Sequence, residues 1–405
     1  MSRIDEMIQQ LCPNGVEYKK LEDIGTFTRG SGIQKKDFVE DGKPCIHYGQ
    51  IYTRYGMTAS KAISSISKTH FAKSKKALPG DVIIAITSEN IEDVCTPLVW
   101  EGDAPVAISG HSCAFHTNEN PRYIAYCISG ELFQKQKSKF ARGIKVVEAK
   151  PSDLGKVKIP VPPLEIQREI VRVLDSFAEL EAELEAELEA RKAQYAYYRD
   201  ILLSQDGLEK MAGDEVPVMK LGEVGKMRMC KRIFKNQTSK EGNIPFYKIG
   251  TFGGNADAYI SRELYEEYRK KYNFPAKGDI LLSASGTIGR TVVYDGRDAY
   301  FQDSNIVWLE NDESKLLNSF LKHLYSVAEW KAEGGTIKRL YGNILESITV
   351  PIPPLSVQQH VVDILDRFDA LTTSLTDGLP AEIEARRKQY EYYRDKLLDF
   401  PRKEA

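Results

Sequence analysis

Amide and guanidinium groups set among aromatic rings can address the edges of nucleic-acid bases, while hydroxyls and amines can hold phosphates. His47-Tyr48-Gly49-Gln50-Ile51-Tyr52-Thr53-Arg54-Tyr55 interleaves all of these around a glycine. Gln50 suits adenine and Arg54 suits guanine, with Tyr48, Tyr52 and Thr53 suited to phosphates. The competing reading of this run is a strand with an ordinary polar face. Thr87-Ser88-Glu89-Asn90 is a second polar run, leaving the apolar residues 82–86. Arg142, Gly143 and Lys145 form a basic loop of the kind that positions on phosphates without specifying sequence.

A matching set lies further along the chain. It comprises Lys248, Gly250 and Thr251, then Ser285, Gly286, Thr287 and Arg290, then Lys338 and Arg339. Ser285-Gly286-Thr287 follows the β-rich residues 280–283 as Thr87–Asn90 follows 81–85, which places both on the same scaffold edge. Gln302-Asp303-Ser304-Asn305 is a further polar cluster, with a turn held by Asx hydrogen bonds as its alternative. Lys231, Arg232 and Lys235 form a basic run that reads either as phosphate contact or as a solvated face.

No catalytic constellation accompanies these runs. There is no phosphate-binding Walker loop and no HExxH helix, and Ser285-Gly286-Thr287-Ile288-Gly289-Arg290 departs from the dinucleotide fingerprint. The six histidines are dispersed, and His111 and His116 lack the company a metal needs. The six cysteines (Cys12, Cys45, Cys95, Cys113, Cys127, Cys230) show no metal-ligand spacing and read as reduced thiols. The expectation is a chain that binds no metal and no cofactor.

Composition agrees with a globular, non-membrane protein: 42% hydrophobic and 28% charged over 405 residues. No apolar run approaches the ~18 residues that span a bilayer, and the opening residues lack a signal-peptide core, so a cytoplasmic location is expected. The net charge of −2 hides a division. Residues 17–159 carry a net +5 and residues 216–350 a net +4, whereas 160–204 carry −5. Two mildly basic segments thus flank an acidic one, a weak sign of nucleic-acid binding by itself.

The elements that must position these runs come as a tandem repeat. IPVPPLEIQREIVRVLDSFAEL at 159–180 returns as VPIPPLSVQQHVVDILDRFDAL at 350–371, and EARKAQYAYYRDILL at 189–203 returns as EARRKQYEYYRDKLL at 384–398. The basic segments repeat more faintly, as in Lys20-Leu21-Glu22-Asp23-Ile24-Gly25 and Lys220-Leu221-Gly222-Glu223-Val224-Gly225. The fold expected is mixed α/β, with two globular domains of short strands and helices (122–139 and 313–331) alternating with two long helices.

The paired prolines at 162–163 and 353–354 mark the helix starts. Past them, three- and four-residue spacings trace one apolar stripe through Ile170, Val173, Leu174, Phe177, Leu180, Leu184 and Leu188. The second stripe runs through Val361, Ile364, Leu365, Phe368, Leu371, Leu375 and Ile383, with Gly378-Leu379-Pro380 expected to kink or break its helix. Residues 164–203 would make a helix about 60 Å long, and its nearest partner is the other copy, in an antiparallel coiled coil. Pairing with another chain is the alternative. The boundaries read as an N-terminal helix (1–15), domain one (16–158), central helix (159–205), domain two (206–349) and distal helix (350–405).

The duplicated proline starts, the duplicated EAR(K/R)xQYxYYRD block and the reiterated AELE within 178–189 resemble specificity subunits of type I restriction–modification systems. Within that family they resemble the subgroup with tetrapeptide repeats in the central helix. The resemblance implies that each globular domain recognises one half of a split duplex DNA site. It implies helices that set the half-site spacing and dock two modification subunits, alongside two restriction subunits. It also implies a non-catalytic chain, with S-adenosylmethionine, ATP and magnesium on the partners. The reading set against it is a coiled-coil scaffold with two modules for non-nucleic ligands.

Overall fold

The computed structural model describes residues 3–143, 145–330, 339–374 and 376–403. The chain divides into two units, Met1–Glu185 with Glu382–Ala405, and Ala186–Ala381. Each unit therefore takes its own globular segment, the start of the long helix that follows it, and the end of the long helix from the other copy.

In the first unit a five-stranded sheet runs in the order Gly25–Arg29, Ser112–Thr117, Val82–Ala85, Pro97–Trp100 and Thr58–Ala59. The first four strands pair antiparallel and the last pairs parallel. Val82–Ala85 is buried along its whole length, which is why it reads as an unbroken apolar run. The second unit repeats the order with Lys226–Met229, Ile306–Glu310, Ile280–Ser283 and Thr291–Val293, all antiparallel. A parallel pair recurs too, Lys43–Ile46 with Val106–Ile108 and Ile244–Tyr247 with Tyr300–Phe301. The two globular segments thus share a scaffold that their sequences barely reveal.

Two helices end earlier than periodicity predicts. The stretch 122–139 is two helices, Pro121–Ser129 and Glu131–Lys137, parted at Gly130. A Cβ there would meet Leu398 and Asp395 at 3.3–3.4 Å, and Asp395 accepts the Glu131 N–H. The stretch 313–331 narrows to Asn318–Val327, because Glu313 has φ +59° and the Asn311 and Asp312 side chains hold a turn ahead of the helix.

The central helix, Leu164–Leu202, is continuous over 39 residues and starts directly after Pro163. The distal one is two helices, Leu355–Thr373 and Leu379–Leu397, broken where Gly378-Leu379-Pro380 predicts. The apolar stripe divides its work, contrary to a seam facing only another helix. Ile166, Ile170 and Leu174 lie in the first unit's globular core with Phe115, Tyr123 and Phe133, and Val173 packs against it. Val361, Val362 and Leu365 do the same in the second. Helix-to-helix contact begins beyond them. In the first unit Phe177 stacks on Tyr393 at 5.6 Å, and Arg387 reaches Glu181 and Glu185 at 2.9 and 3.3 Å, so these segments run antiparallel. In the second, Phe368 meets Tyr195 and Tyr198 at 6.4 and 5.9 Å. Leu184, Leu188 and Ile364 are half-buried and Ile383 is buried. Leu180 and Leu371, placed in the seam by spacing, are instead 47% and 38% exposed, and Leu375 lies outside the described residues.

One polar residue interrupts each stripe. Gln167 and Gln358 are fully buried at the same repeat position. Gln167 donates to the Pro162 carbonyl and to Glu119 and accepts from the Asn120 N–H. Gln358 donates to the Pro353 and Lys315 carbonyls and accepts from Leu317. Each amide is thus satisfied, and it ties the proline turn to the loop before the domain's helix. At the other side of the first unit, the Val16 N–H donates to Pro401, Lys403 donates back to Val16, and the Tyr18 hydroxyl donates to Phe400.

Candidate nucleic-acid interface

The run 47–55 is not a strand. His47 N-caps a single helical turn, Tyr48–Ile51, its ring nitrogen accepting from the Gly49 N–H. This turn and the run after Val82–Ala85 open onto one cleft of about 710 Å³. Tyr48, Tyr52, Thr53 and Arg54 line it from one side and Glu89, Asn90 and Asp93 from the other, with Lys35 at its edge. Two segments some forty residues apart, each singled out by composition, therefore meet.

The cleft also separates side chains that are free from those already committed. Gln50 donates to Ser64 Oγ at 2.7 Å and accepts from its own cap, the His47 N–H, so its amide holds the turn. Thr53 Oγ1 donates to the Gly49 carbonyl. Thr87 and Ser88 are 5% and 3% exposed; Thr87 bonds His111 and both sit in a short strand paired with Val147–Glu148. These four carry structure where composition suggested reading. Arg54 and Glu89, by contrast, are exposed and make no ion pair among the described residues. Burial and the positive charge of Lys35 push the His47 imidazole below its ordinary value, so it serves as a neutral cap near pH 7. Arg142, Gly143 and Lys145 are exposed, with Arg142 bridged through its backbone to Glu148 and Gly143 at φ +153°.

In the second unit the equivalent runs also converge, through direct bonds. Asn305 Oδ1 accepts from Ser285 Oγ and from the Arg339 guanidinium, each at 2.8 Å, and Ser285 is 4% exposed. Arg290 donates to the Phe252 carbonyl at 2.8 Å, bringing the Gly286–Thr287 turn beside the Lys248–Thr251 turn. Gly286 has φ +67°, a left-handed backbone that glycine tolerates, and its neighbour is the Ile249 side chain. Lys248 pairs with Asp257 at 2.7 Å and Arg232 with Asp303 at 3.1 Å, and the Lys231 ammonium lies over the Tyr272 ring. Ser304 has φ +48° and the Gln302 amide accepts from Ile249, so residues 302–305 form a supporting turn. Lys338 lies outside the described residues.

Three residues that composition did not mark belong to this architecture. Lys35 lines the first cleft, Lys137 is buried behind it, and Trp330 backs onto Gly289, where a Cβ would meet its indole at 2.4 Å. Lys35 was legible as a cation near the run. Lys137 and Trp330 carried no signal beyond lying between the sheet and the prolines.

Two α/β units that each gather basic, amide and aromatic side chains at one sheet edge define a duplicated recognition protein. A family described as the type I restriction modification DNA specificity domain matches twice, over residues 13–190 and 213–385. The chain belongs to this family: it is the DNA-recognition subunit of a type I restriction–modification system, working with other subunits that carry the catalytic activities. It is 53% identical over 270 residues to a putative type I restriction enzyme specificity subunit of Haemophilus influenzae, covering 64% of this chain and 68% of that one. It is 35% identical over 277 residues to the EcoR124I/EcoR124II specificity subunit of Escherichia coli, covering 63% and 66%. Its fold resembles a subunit from a solved structure of type I complex assembly (TM-score 0.64, 19% identity, 95% and 98% covered). It also resembles the S subunit from M. genitalium (TM-score 0.51, 14% identity, 95% and 96% covered). Among the described residues no helix is long and apolar enough to cross a membrane.

Proposed function

We propose that each unit reads one half of a split duplex DNA site. The first does so through the cleft between Tyr48–Arg54 and Glu89–Asp93, the second through the Gly286–Arg290 turn with Lys248–Thr251 and Arg339. The observation that carries this reading is the meeting of both sequence-selected runs in one cleft, with Arg54 and Glu89 left free. Arg54 would address guanine, while Arg142, Lys145, Lys231 and Lys235 would face phosphates. The test is a salt titration of duplex binding by the assembled modification complex, with mapping of methylated sites. A steep fall of affinity with salt and a motif in two parts support it. Salt-independent binding or a continuous motif overturns it.

The partners follow from duplication. Leu164 and Leu355 are both exposed, as are Tyr197 and Tyr392 at 64% and 61%. Large apolar side chains kept on the surface at equivalent positions of both copies suit one partner bound twice, which for this family means two modification subunits. Two restriction subunits complete the assembly. S-adenosylmethionine, ATP and magnesium then belong to those partners in the cytoplasm, and this chain binds none of them.

The AELE run is proposed as the ruler of the spacer, as in the tetrapeptide-repeat subgroup. Removing four residues turns an α-helix by a net 40° and shortens it by about 6 Å, so the stripe nearly keeps its face. One base pair rotates duplex DNA by roughly 35° and advances it 3.4 Å. Arg387, which bridges Glu181 and Glu185, would find the same four-residue glutamate spacing after the slip. Deleting residues 185–188 should shorten the spacer by one base pair and leave both half-sites unchanged. An unchanged spacer in the mapped motif would remove the ruler.

A further inference from the structure

The first cleft has a wall that sequence composition cannot explain. Residues 89–93, polar apart from Ile91, are exposed or nearly so, yet they are tied in place from three directions. Asn90 Oδ1 accepts the Asp93 N–H at 2.7 Å, and Asn90 Nδ2 donates to the Asp93 carboxylate at 2.8 Å, closing the loop on itself. Val94 and Cys95 are each 1% exposed, and Cys95 holds φ +71°, a conformation costing an ordinary residue about 1–3 kcal/mol. The third tie comes from inside. Lys137, 3% exposed, sends its Nζ to the carbonyls of Glu92 and Val94 at 3.1 and 3.0 Å.

A buried ammonium is costly unless its donors are met. Lys137 has no ion pair among the described residues, and the Glu92 and Val94 carbonyls that it reaches both belong to this one loop. Burial accordingly lowers its proton affinity from the ordinary lysine value. The residue ends the helix Glu131–Lys137, which is itself fixed: Phe133 is fully buried and the Glu131 N–H donates to Asp395. The loop is therefore referenced to the domain core and not to solvent.

We infer that Lys137 is a positioning residue for base recognition, fixing from the interior the loop that presents Glu89 and Asn90 to the cleft. This rests on the reading of that cleft as facing DNA. Base discrimination depends on holding reading groups within about half an ångström of their geometry. A loop released from Lys137 would still be polar and exposed but would accept a wrong base more readily. Glu89 is the group most affected, because a carboxylate accepts from cytosine N4 or adenine N6 and repels the acceptor edges of guanine and thymine.

The experiment uses the full modification complex carrying K137M. Methylation rates are compared on cognate duplexes and on duplexes with single mismatches in either half-site. A merely structural lysine alters the amount of active protein, so cognate and mismatch rates fall together and their ratio stays fixed. The positioning role predicts a ratio reduced about tenfold for mismatches in one half-site and unchanged in the other. If K137M does not accumulate folded, K137Q, which keeps a donor on a shorter arm, is measured against the same two outcomes. A fixed ratio, or an equal loss in both halves, overturns the inference. The double variant R54A/E89Q separates the two layers. If it relaxes one half-site while the Lys137 variants do not, only this inference falls; if it changes nothing, the reading of the cleft falls.

Discussion

The two units carry the loop after the same sheet strand and hold it by different chemistry. After Val82–Ala85 the loop is pinned by a buried charge, Lys137, reaching two carbonyls. After Ile280–Ser283 it is pinned by a neutral hub: Asn305 joins Ser285 to Arg339, the Leu340 N–H donates to Ala284, and Trp330 packs against Gly289. The strand order beneath is the same in both. Scaffold and loop support are thus separable, and one reader can change its loop chemistry without touching the sheet or the other unit. The helical blocks show the opposite behaviour, with Gln167 and Gln358 buried and bonded alike in both copies.

The comparison would break most visibly at its most symmetric point. Leu398 closes the first unit's core and Leu203 the second's, at equivalent repeat positions and 7% and 6% exposed. L398A and L203A should each cost about 2–5 kcal/mol. Hydrogen exchange should show the loosening confined to residues 1–185 with 382–405 in the first case and to 186–381 in the second. Loosening spread across both units by either variant would contradict separate cores.

N305A comes next, at about 1–3 kcal/mol, since it strands Ser285 and the Arg339 guanidinium. Discrimination should collapse in one half-site only, read by mapping methylated motifs. Arg54 and Arg290 then sharpen the contrast between a free and a committed cation. R54A should leave the unfolding free energy within about 0.5 kcal/mol of the parent while weakening one half-site. R290A, which loses its bond to the Phe252 carbonyl, should lower stability by about 1 kcal/mol and weaken the other half-site. Equal stability losses would mean that Arg54 is tied down after all.

The smallest effect concerns acid. Beneath the helix of each unit an aspartate from the long helix meets a different partner. Asp175 takes the Tyr126 hydroxyl at 2.6 Å, and Asp366 takes His323 Nε2 at 2.8 Å. Burial lowers the His323 pKa below the ordinary histidine value, outweighing Asp366, with Lys322 lowering it further and Asp369 raising it. The unfolded chain then binds a proton before the native one does, so stability falls as pH drops from about 6.5 through the depressed native value and is level below it. The second unit should lose protection against exchange across that window, and H323F should flatten the loss. An identical acid profile in H323F would assign the sensitivity elsewhere.

Sequence alone reached the duplication, the helix starts and the break at Gly378-Leu379-Pro380, because prolines and three-four spacing act locally. It also picked runs that meet in the cleft, since exposed Arg54 and Glu89 differ in composition from a buried sheet. Gln50, Thr87 and Ser285 have types that suit bases, but their bonds run inward to Ser64, His111 and Asn305. A side chain's free valences depend on partners distant in sequence, which local pattern does not encode. Lys137 was missed for the same reason: nothing near it in sequence says that its charge is buried.

The pairing of Val16 with Pro401 and Lys403 gives the order of the parts an unusual property. In the second unit the corresponding step, from Leu203 to Val216, runs through unbroken chain and the helix Gln205–Ala212. In the first it is bridged without a covalent link, by these hydrogen bonds, by the shared core of Val16, Leu398 and Phe400 and by Arg402 over the Tyr18 ring, beside the helix Arg3–Leu11. The polypeptide is therefore a cycle written as a line: domain, helix, domain, helix, and back to domain, with no member intrinsically first. A permuted gene that links residue 403 to residue 3 by a short linker and opens the chain near Asp214 would preserve every core contact described for each unit.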